Sequence, residues 1–322
     1  NRVEVVDNVY LALFQADRDA NPLWPGNVKK LKIVADPDDD TIRVIVDSTH
    51  VSGSTPVPAF DTDGLIKRSA LSYWTDAGGY DMSANFSTDD LDVAGKDGRS
   101  TNRGGAGQQI PGLINGSSQG TPGVNNTDAG AVANKTVGDP APRKMYTEPT
   151  TSFTDGSAND DISGDGLIPL NADATLSADA DIQSALGVAT SSETVELLAW
   201  LRGIDAVDAD LDGALEKFGG NPKDTVTTRN WFMGDALHSQ PLPVNYGCAD
   251  PTVTGCEQRI RLFFGTNDGI FHMVRNTNNS SGAEEGDEIG GFIPHSSLDL
   301  ASILSGGPTI PTHPYGMDGR PV

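Results

Sequence analysis

Between Phe86 and Tyr146 the chain carries no aromatic residue, and residues 97–137 hold nine glycines in 41 positions, set among Asn, Ser, Thr and Gln. A stretch of that composition cannot bury enough apolar surface to offset its chain entropy. Whatever core the chain builds must come from its two flanks, with the middle expected as long surface loops ordered where they lie on a neighbour. At 322 residues, there is length for two domains or for one large all-β unit.

Both flanks have the pattern of strands. Residues 3–14 are rich in β-branched and aromatic side chains, residues 27–34 alternate polar and apolar, and residues 41–46 form a third run. Alternation with period two marks a half-buried strand. The intervening Asp36-Pro-Asp-Asp-Asp40 is a turn, because Pro fixes φ and Asp tolerates tight backbone geometry. In the second flank, residues 240–246, 259–265, 270–274 and 288–293 are four short strands. Asn267-Asp268-Gly269 between the middle two predicts a tight type I′ hairpin, since Asp-Gly accepts positive φ. Four short antiparallel strands with a tight inner hairpin make one blade of a β-propeller.

Helices are expected to be few and short. Residues 179–186 are stopped by Gly187 at the C′ position. Residues 195–201 follow a capping box formed by Thr190 and Glu193, and residues 297–304 follow the last strand. The expected fold is therefore mainly β. Residues 1–90 form an antiparallel region, and residues 91–190 are Gly/Asn/Asp-rich loops packed on neighbours. Residues 191–230 are a helix and an acidic linker, and residues 231–322 are the first blade of a propeller.

Charge narrows the partners. Lys plus Arg total 22 against 45 Asp plus Glu, a formal charge of -23, and from Met145 to Leu201 there is no Lys or Arg at all. Phosphate-backbone binding needs clustered cations, so nucleic acid is not an expected partner, nor is an anionic lipid surface. Divalent cations suit such a surface better. No apolar run reaches the length of a membrane span. The chain begins Asn1-Arg2-Val3 without Met, basic n-region or h-region, and is expected to be processed or part of something longer.

Asp208-Ala-Asp210-Leu-Asp212-Gly213-Ala-Leu-Glu216 is the best metal motif. Carboxylates at positions 1, 3 and 5 with Gly at 6 copy the start of an EF-hand loop, where hard oxygens converge on calcium. Position 12 is Gly219 rather than Glu; Glu216 at position 9 can contribute directly or through water. A solvated acidic loop is the alternative. Asp160, Asp161 and Asp165 form a second acidic cluster without ligand spacing. The only cysteines, Cys248 and Cys256, flank a short Pro- and Gly-containing loop that can close as a disulfide, which places the chain in an oxidising, extracytoplasmic compartment. Two free thiols are the other possibility.

Asp235, His238 and Ser239 supply the letters of a hydrolase triad, but on one short segment rather than from separate elements, and no G-x-S-x-G elbow is present. A structural turn is expected there, and His272, between Phe271 and Met273, is expected as a packed strand histidine.

Several segments together resemble the PilC/PilY family of type IV pilus tip-associated proteins. Trp24-Pro-Gly-Asn-Val-Lys-Lys-Leu-Lys-Ile33 resembles that family's W-P-G-N-L-K-K-Y stretch. Trp231-Phe-Met-Gly-Asp-Ala-Leu-His-Ser-Gln-Pro241 is similar to its W-x-x-G-D-x-x-H-S-x-P entry into a β-propeller. Phe264-Gly-Thr-Asn-Asp-Gly-Ile-Phe-His272 resembles the V-G-A-N-D-G-M-L-H hairpin, and Glu288-Ile-Gly-Gly-Phe-Ile-Pro294 stands where the family has E-L-W-A-F-I-P. His313-Pro-Tyr-Gly-Met-Asp-Gly319 resembles the Y-x-x-D-G stretch before a further blade. Ser72-Tyr-Trp-Thr75 and Leu201-Arg-Gly203 fall in the family's order. Gly290 departs from the pattern by replacing the blade tryptophan, and the chain stops at Val322, where a second blade is expected.

The resemblance implies an extracellular pilus-tip protein without catalytic activity. Its implied partners are minor pilins or other tip subunits, and host or abiotic surfaces. It implies roles in pilus assembly, retraction control and adhesion, and calcium as a ligand. Two other classes fit the strands: a propeller dehydrogenase holding pyrroloquinoline quinone, which Gly265-Thr-Asn-Asp-Gly269 also resembles, and a structural extracellular filament or interaction subunit.

Overall fold

The computed structural model describes residues 7–16, 24–75, 97–101, 104–110, 143–150, 166–170, 174–203, 233–248, 252, 258–277, 284–305, 313–317, 319 and 321. Among these the fold is mainly β with a few short helices, arranged around two sheets.

The smaller sheet holds β1 (Asn8–Phe14), β2 (Gly26–Asp36) and β3 (Asp39–Val46), antiparallel in that order. The β2–β3 reversal is tighter than the Asp-rich run suggested: only Pro37 and Asp38 lie between the strands, and Asp36 Oδ1 accepts the Asp38 amide at 3.0 Å. β2 is the central strand, and Gly26 to Leu31 are buried one after another. Alternation sends Asn27, Lys29 and Leu31 to one face and Val28, Lys30 and Lys32 to the other. Both faces are covered, so the period-two signal of a half-buried strand understates how deep this strand lies.

The larger sheet has six strands in the order β5-β4-β9-β8-β7-β6. β6 (Leu242–Cys248), β7 (Gln258–Gly265), β8 (Phe271–Arg275) and β9 (Glu288–Phe292) follow one another as an antiparallel meander. β4 (Met145–Thr147) then joins β9 in parallel, Met145 opposite Gly291, and β5 (Ile168–Pro169) pairs antiparallel with β4. The middle stretch, expected as loops, thus gives the sheet two strands. The β7–β8 turn is a three-residue loop rather than the two-residue type I′ form. Thr266 N donates to Ile270 O and Gly269 N to Thr266 O, at 2.9 and 3.0 Å. Gly269, at φ +88, supplies the left-handed residue that such a loop needs.

The helices are α1 (Gly105–Gln108), α2 (Ala174–Ser177), α3 (Ala180–Leu186), α4 (Ser191–Leu201) and α5 (Asp299–Ser305), the last preceded by a 3-10 turn at His295–Ser297. Asp179 caps α3 by accepting the amides of Asp181 and Ile182, and Gly187 ends it at φ 72. Thr190 and Glu193 form the expected reciprocal capping box on α4. One apolar cluster packs Met145, Ile168 and Leu170 against Ile182, Leu186, Leu198, Trp200, Ile270, Ile293 and Leu304. The second joins the two sheets: Val28, Trp74, Ala106 and Ile110 meet Met233, Leu262, Phe264 and Val274. Each such fully buried aliphatic side chain is worth about 1.5–3 kcal/mol over leaving it in water. No helix among the described residues is long and apolar enough to cross a membrane.

Where the sheets meet, Gly26 lies against the second flank so closely that a Cβ would sit 2.1 Å from Gly234 O. Gly26→Ala is therefore expected to cost about 1–3 kcal/mol, the usual penalty of overpacking, seen as a lower melting temperature by calorimetry. Gly290→Ala, whose Cβ meets nothing nearer than 3.5 Å, is expected to be tolerated. Equal melting temperatures for the two variants would refute the close approach.

Candidate functional site

Four segments that are far apart in sequence meet at one junction. Gly26 N donates to Met233 O at 3.0 Å, and Pro25 bridges to Gly234. Gly234 N in turn donates to Asp268 Oδ2 at 3.1 Å. Asn267 clasps Asp235 twice, amide to carbonyl at 2.8 Å and Nδ2 to Oδ1 at 2.7 Å. Ser239 Oγ accepts the Gly265 amide at 2.8 Å, and Met317 N donates to Thr266 O at 3.1 Å. A Cβ at Gly265 would lie 2.0 Å from Met317 O, and one at Gly316 would lie 2.7 Å from Gly269 N. Backbone contact this close is possible only with glycine.

An aromatic ladder runs across the same junction. Trp24 stacks flat on His313, with centroids 3.9 Å apart at 4°, and Phe14 stacks with Trp24 at 6.3 Å. Tyr315 meets His313 edge-on at 5.4 Å and His238 at 6.2 Å. His313 Nε2 is 3.1 Å from Asp235 Oδ2. Burial pushes the Asp235 carboxyl upward, and neighbouring Asp268 adds to this, against the lowering pull of Asn267 and His313. The ladder emerges at both ends, with Phe14 and Tyr315 exposed.

Beneath lies a continuous buried polar chain. Arg143 grips Glu288 with two hydrogen bonds, Nε to Oε2 at 2.6 Å and Nη2 to Oε1 at 2.9 Å. Its third nitrogen, Nη1, donates to Leu201 O at 3.0 Å, and Arg202 Nε donates to Arg143 O at 2.8 Å. His272 Nδ1 lies 2.6 Å from Glu288 Oε1. Burial alone would raise the Glu288 carboxyl, but the Arg143 charge and hydrogen bonds, joined by His272, hold it down at about 2. An ionised carboxylate only accepts, so Nδ1 carries the proton. His272 Nε2 is 2.9 Å from Thr266 Oγ1, which donates to Asp268.

Thr266, His272 and Glu288 follow the hydroxyl–imidazole–carboxylate order of an acyl-transfer triad, but the Thr266 proton goes to Asp268 and not to His272 Nε2. They are 0%, 0% and 3% exposed, so no substrate reaches the hydroxyl in this conformation. The arrangement locks strands and turn together.

The motif residues are placed as follows. Asp235 pairs with Asn267 and His313, while Ser239 holds β7 and His238 is exposed. His272 is fully buried, as expected. Gly290 faces Lys144 and Tyr146 at the start of β4, which occupies the side where a tryptophan would stand. The calcium set Asp208, Asp210, Asp212 and Glu216, the cluster Asp160, Asp161 and Asp165, and Cys256 all lie outside the described residues. Cys248 ends β6, and no described cysteine is free. Among the described residues no group of three His, Cys, Asp or Glu is placed to hold a metal.

Sequence reasoning missed Arg143, Glu288 and the buried lysines. Lys29 Nζ is 3.1 Å from Asp97 Oδ2 and donates to the Asp97 and Gly98 carbonyls. Asn27 clamps α1 by donating to Gly104 O and accepting the Gly107 amide. The one available signal was Lys29-Lys30 inside a strand, where alternation must turn at least one ammonium inward. In comparisons with known proteins, no family model, curated protein or solved structure matches the chain.

Glu288→Gln leaves Arg143 buried without its anion, and breaking such a pair costs about 3–5 kcal/mol. Because the folded Glu288 carboxyl titrates below its unfolded value of 4.5, at about 2, its stabilisation is full above the unfolded value. It is lost as pH falls through the folded one. The stability difference between wild type and Glu288→Gln should therefore shrink steadily below pH 4.5, measured by urea unfolding at a series of pH values; a difference independent of pH would refute the ionised pair.

Proposed function

We propose that the chain is part of a PilC/PilY-like protein at the tip of a type IV pilus. There it supports pilus assembly and retraction control and contributes to surface adhesion, without catalysing a reaction. The observation that carries this reading is the junction itself. The described parts of four segments singled out by the resemblance, 24–33, 233–241, 264–272 and 313–317, meet in space and hold one another by backbone contact. They do so around β6–β9, four consecutive antiparallel strands within the six-stranded sheet, which supports reading this stretch as a blade.

The two faces of β6–β9 support the same reading. One face carries Leu262, Phe264, His272 and Val274, all buried. The other carries Leu242, Phe263, Phe271, Met273 and Phe292, half-buried, with Phe263 stacked on Phe271 at 5.8 Å. Apart from Arg261 and Arg275, which share it, this face is apolar, and such a face is what a following blade covers. Minor pilins or other tip subunits, and a host or abiotic surface, are the proposed partners, outside the cell. In this reading calcium is held by Asp208, Asp210, Asp212 and Glu216, and Cys248 pairs with Cys256.

Deleting the gene in the cell that makes the protein is expected to reduce surface pili, counted by electron microscopy, together with attachment. Calorimetry is expected to show calcium binding that Asp210→Ala abolishes. Unchanged pili, motility and attachment in the deletion strain would overturn the functional reading, and absent calcium binding would remove the metal from it.

A further inference from the structure

Lys30, Asn276 and Glu284 meet in the seam between the two sheets. Lys30, on β2, is buried, with 6% of its side chain exposed. Its Nζ lies 2.5 Å from Asn276 Oδ1 and 2.6 Å from Glu284 Oε2. Asn276, just past β8, is 3% exposed, and its Nδ2 donates to the Tyr10 hydroxyl. Lys32 Nζ pairs with the other oxygen of Glu284 and fixes the carboxylate in place. Trp74, 1% exposed, walls the site: Lys30 Nζ sits 5.8 Å over its ring, and Tyr10 stacks on it at 5.7 Å.

A plain salt bridge needs only the lysine and the glutamate. Here an amide is added, with its carbonyl against the amine and its nitrogen held on the far side by a phenol. We propose that Lys30 and Asn276 join in an intramolecular isopeptide bond, with Glu284 as the general acid–base. Lys30 Nζ gives one proton to the Glu284 carboxylate and becomes a neutral amine. Its lone pair attacks Asn276 Cγ, the atom that bears Oδ1, and forms the new C–N bond. The second Lys30 proton passes to Nδ2 in the tetrahedral intermediate, the Cγ–Nδ2 bond breaks, and ammonia leaves. Ammonia then takes the proton still held on Glu284 and departs as ammonium. Nothing is oxidised or reduced, and no co-reactant is needed. The amine is prepared for this: burial pushes the Lys30 ammonium down, and Lys32 adds to that, while the opposing charge and hydrogen bond of Glu284 offset it only in part. Burial and Glu284 both raise the Tyr10 hydroxyl, which stays protonated beside the leaving nitrogen. Positioning of this kind replaces an encounter between two reactants.

The bond would link residues 246 positions apart and fasten the small sheet covalently to the large one. It rests on the seam alone, not on the proposed function.

The test is intact mass and peptide mapping of the purified full chain. The expected mass falls one ammonia below that of the sequence with its cysteines reduced. Trypsin is expected to spare Lys30, and to release Lys30-Leu31-Lys32 joined to the peptide that begins at Asn276. Glu284→Gln and, separately, Lys30→Arg are expected to restore the full mass and two unlinked peptides. Cleavage after Lys30 in wild type, or an ammonia loss confined to the Asn276 peptide as a succinimide, would overturn the proposal. So would a linked peptide in either variant. The wild-type map decides the bond even where a variant does not fold.

Discussion

The Arg143–Glu288 pair is the interaction on which the larger sheet depends. Arg143 stands just ahead of β4, Glu288 opens β9, His272 is the second residue of β8, and Thr266 and Asp268 belong to the β7–β8 turn. Arg143 also holds the last turn of α4 through Leu201 O. One guanidinium therefore sets the positions of five elements. Two well-packed apolar residues could match the pair in stability, because desolvating two charges cancels much of their attraction. What they could not supply is direction. A bidentate guanidinium–carboxylate contact is planar and fixed in angle, and it is placed where β4 must lie parallel to β9 over only two register pairs. We take this as the reason a fully buried ion pair stands where β4 meets β9.

Much of this fold was legible in local chemistry. Capping residues act within a few positions of the chain, so Gly187, Thr190 and Glu193 could be assigned to helix ends directly, whereas Asp179, expected as the first helical residue, is the N-cap. The strands of the flanks followed from β-branched and aromatic runs, from the alternation of residues 27–34 and from the turn residues between them, and the turn at Asn267-Asp268-Gly269 from its residues. The turn type did not, because a three-residue loop and a two-residue loop both use Asp-Gly and differ only in the hydrogen bonds that close them. β4 and β5 were not legible at all. Met145–Thr147 and Ile168–Pro169 are too short for alternation to register. They are held as strands by β9 and by the helices packed on Met145 and Ile168, not by their own propensities.

The site was legible in part, and for a related reason. The motif glycines and the Asp–Asn pair stood out as residues, and their meeting could be anticipated only through a resemblance, since no spacing rule joins residue 26 to residue 234. Charge led the reading outward, to acidic loops and cations in solution. Yet the lysines of the first motif turn inward: Lys29 onto Asp97, and Lys30 onto Glu284 and Asn276. Composition counts charges without locating them, and a buried ammonium is invisible until its carboxylate is found far along the chain.

The seam between the sheets explains why those ammonium groups are there. Its apolar contact is modest, essentially Val28, Trp74 and Ala106 against Met233, Leu262, Phe264 and Val274. Such contact is non-directional and lets two sheets slide. Resistance to shear along the seam has to come from groups that hold one position. The glycine contacts at Gly26 and Gly234 interlock the backbones at one end, and Lys30 with Glu284 and Asn276 pins the other. A covalent tie at Lys30 would hold that end of the seam in place where an ion pair alone can open.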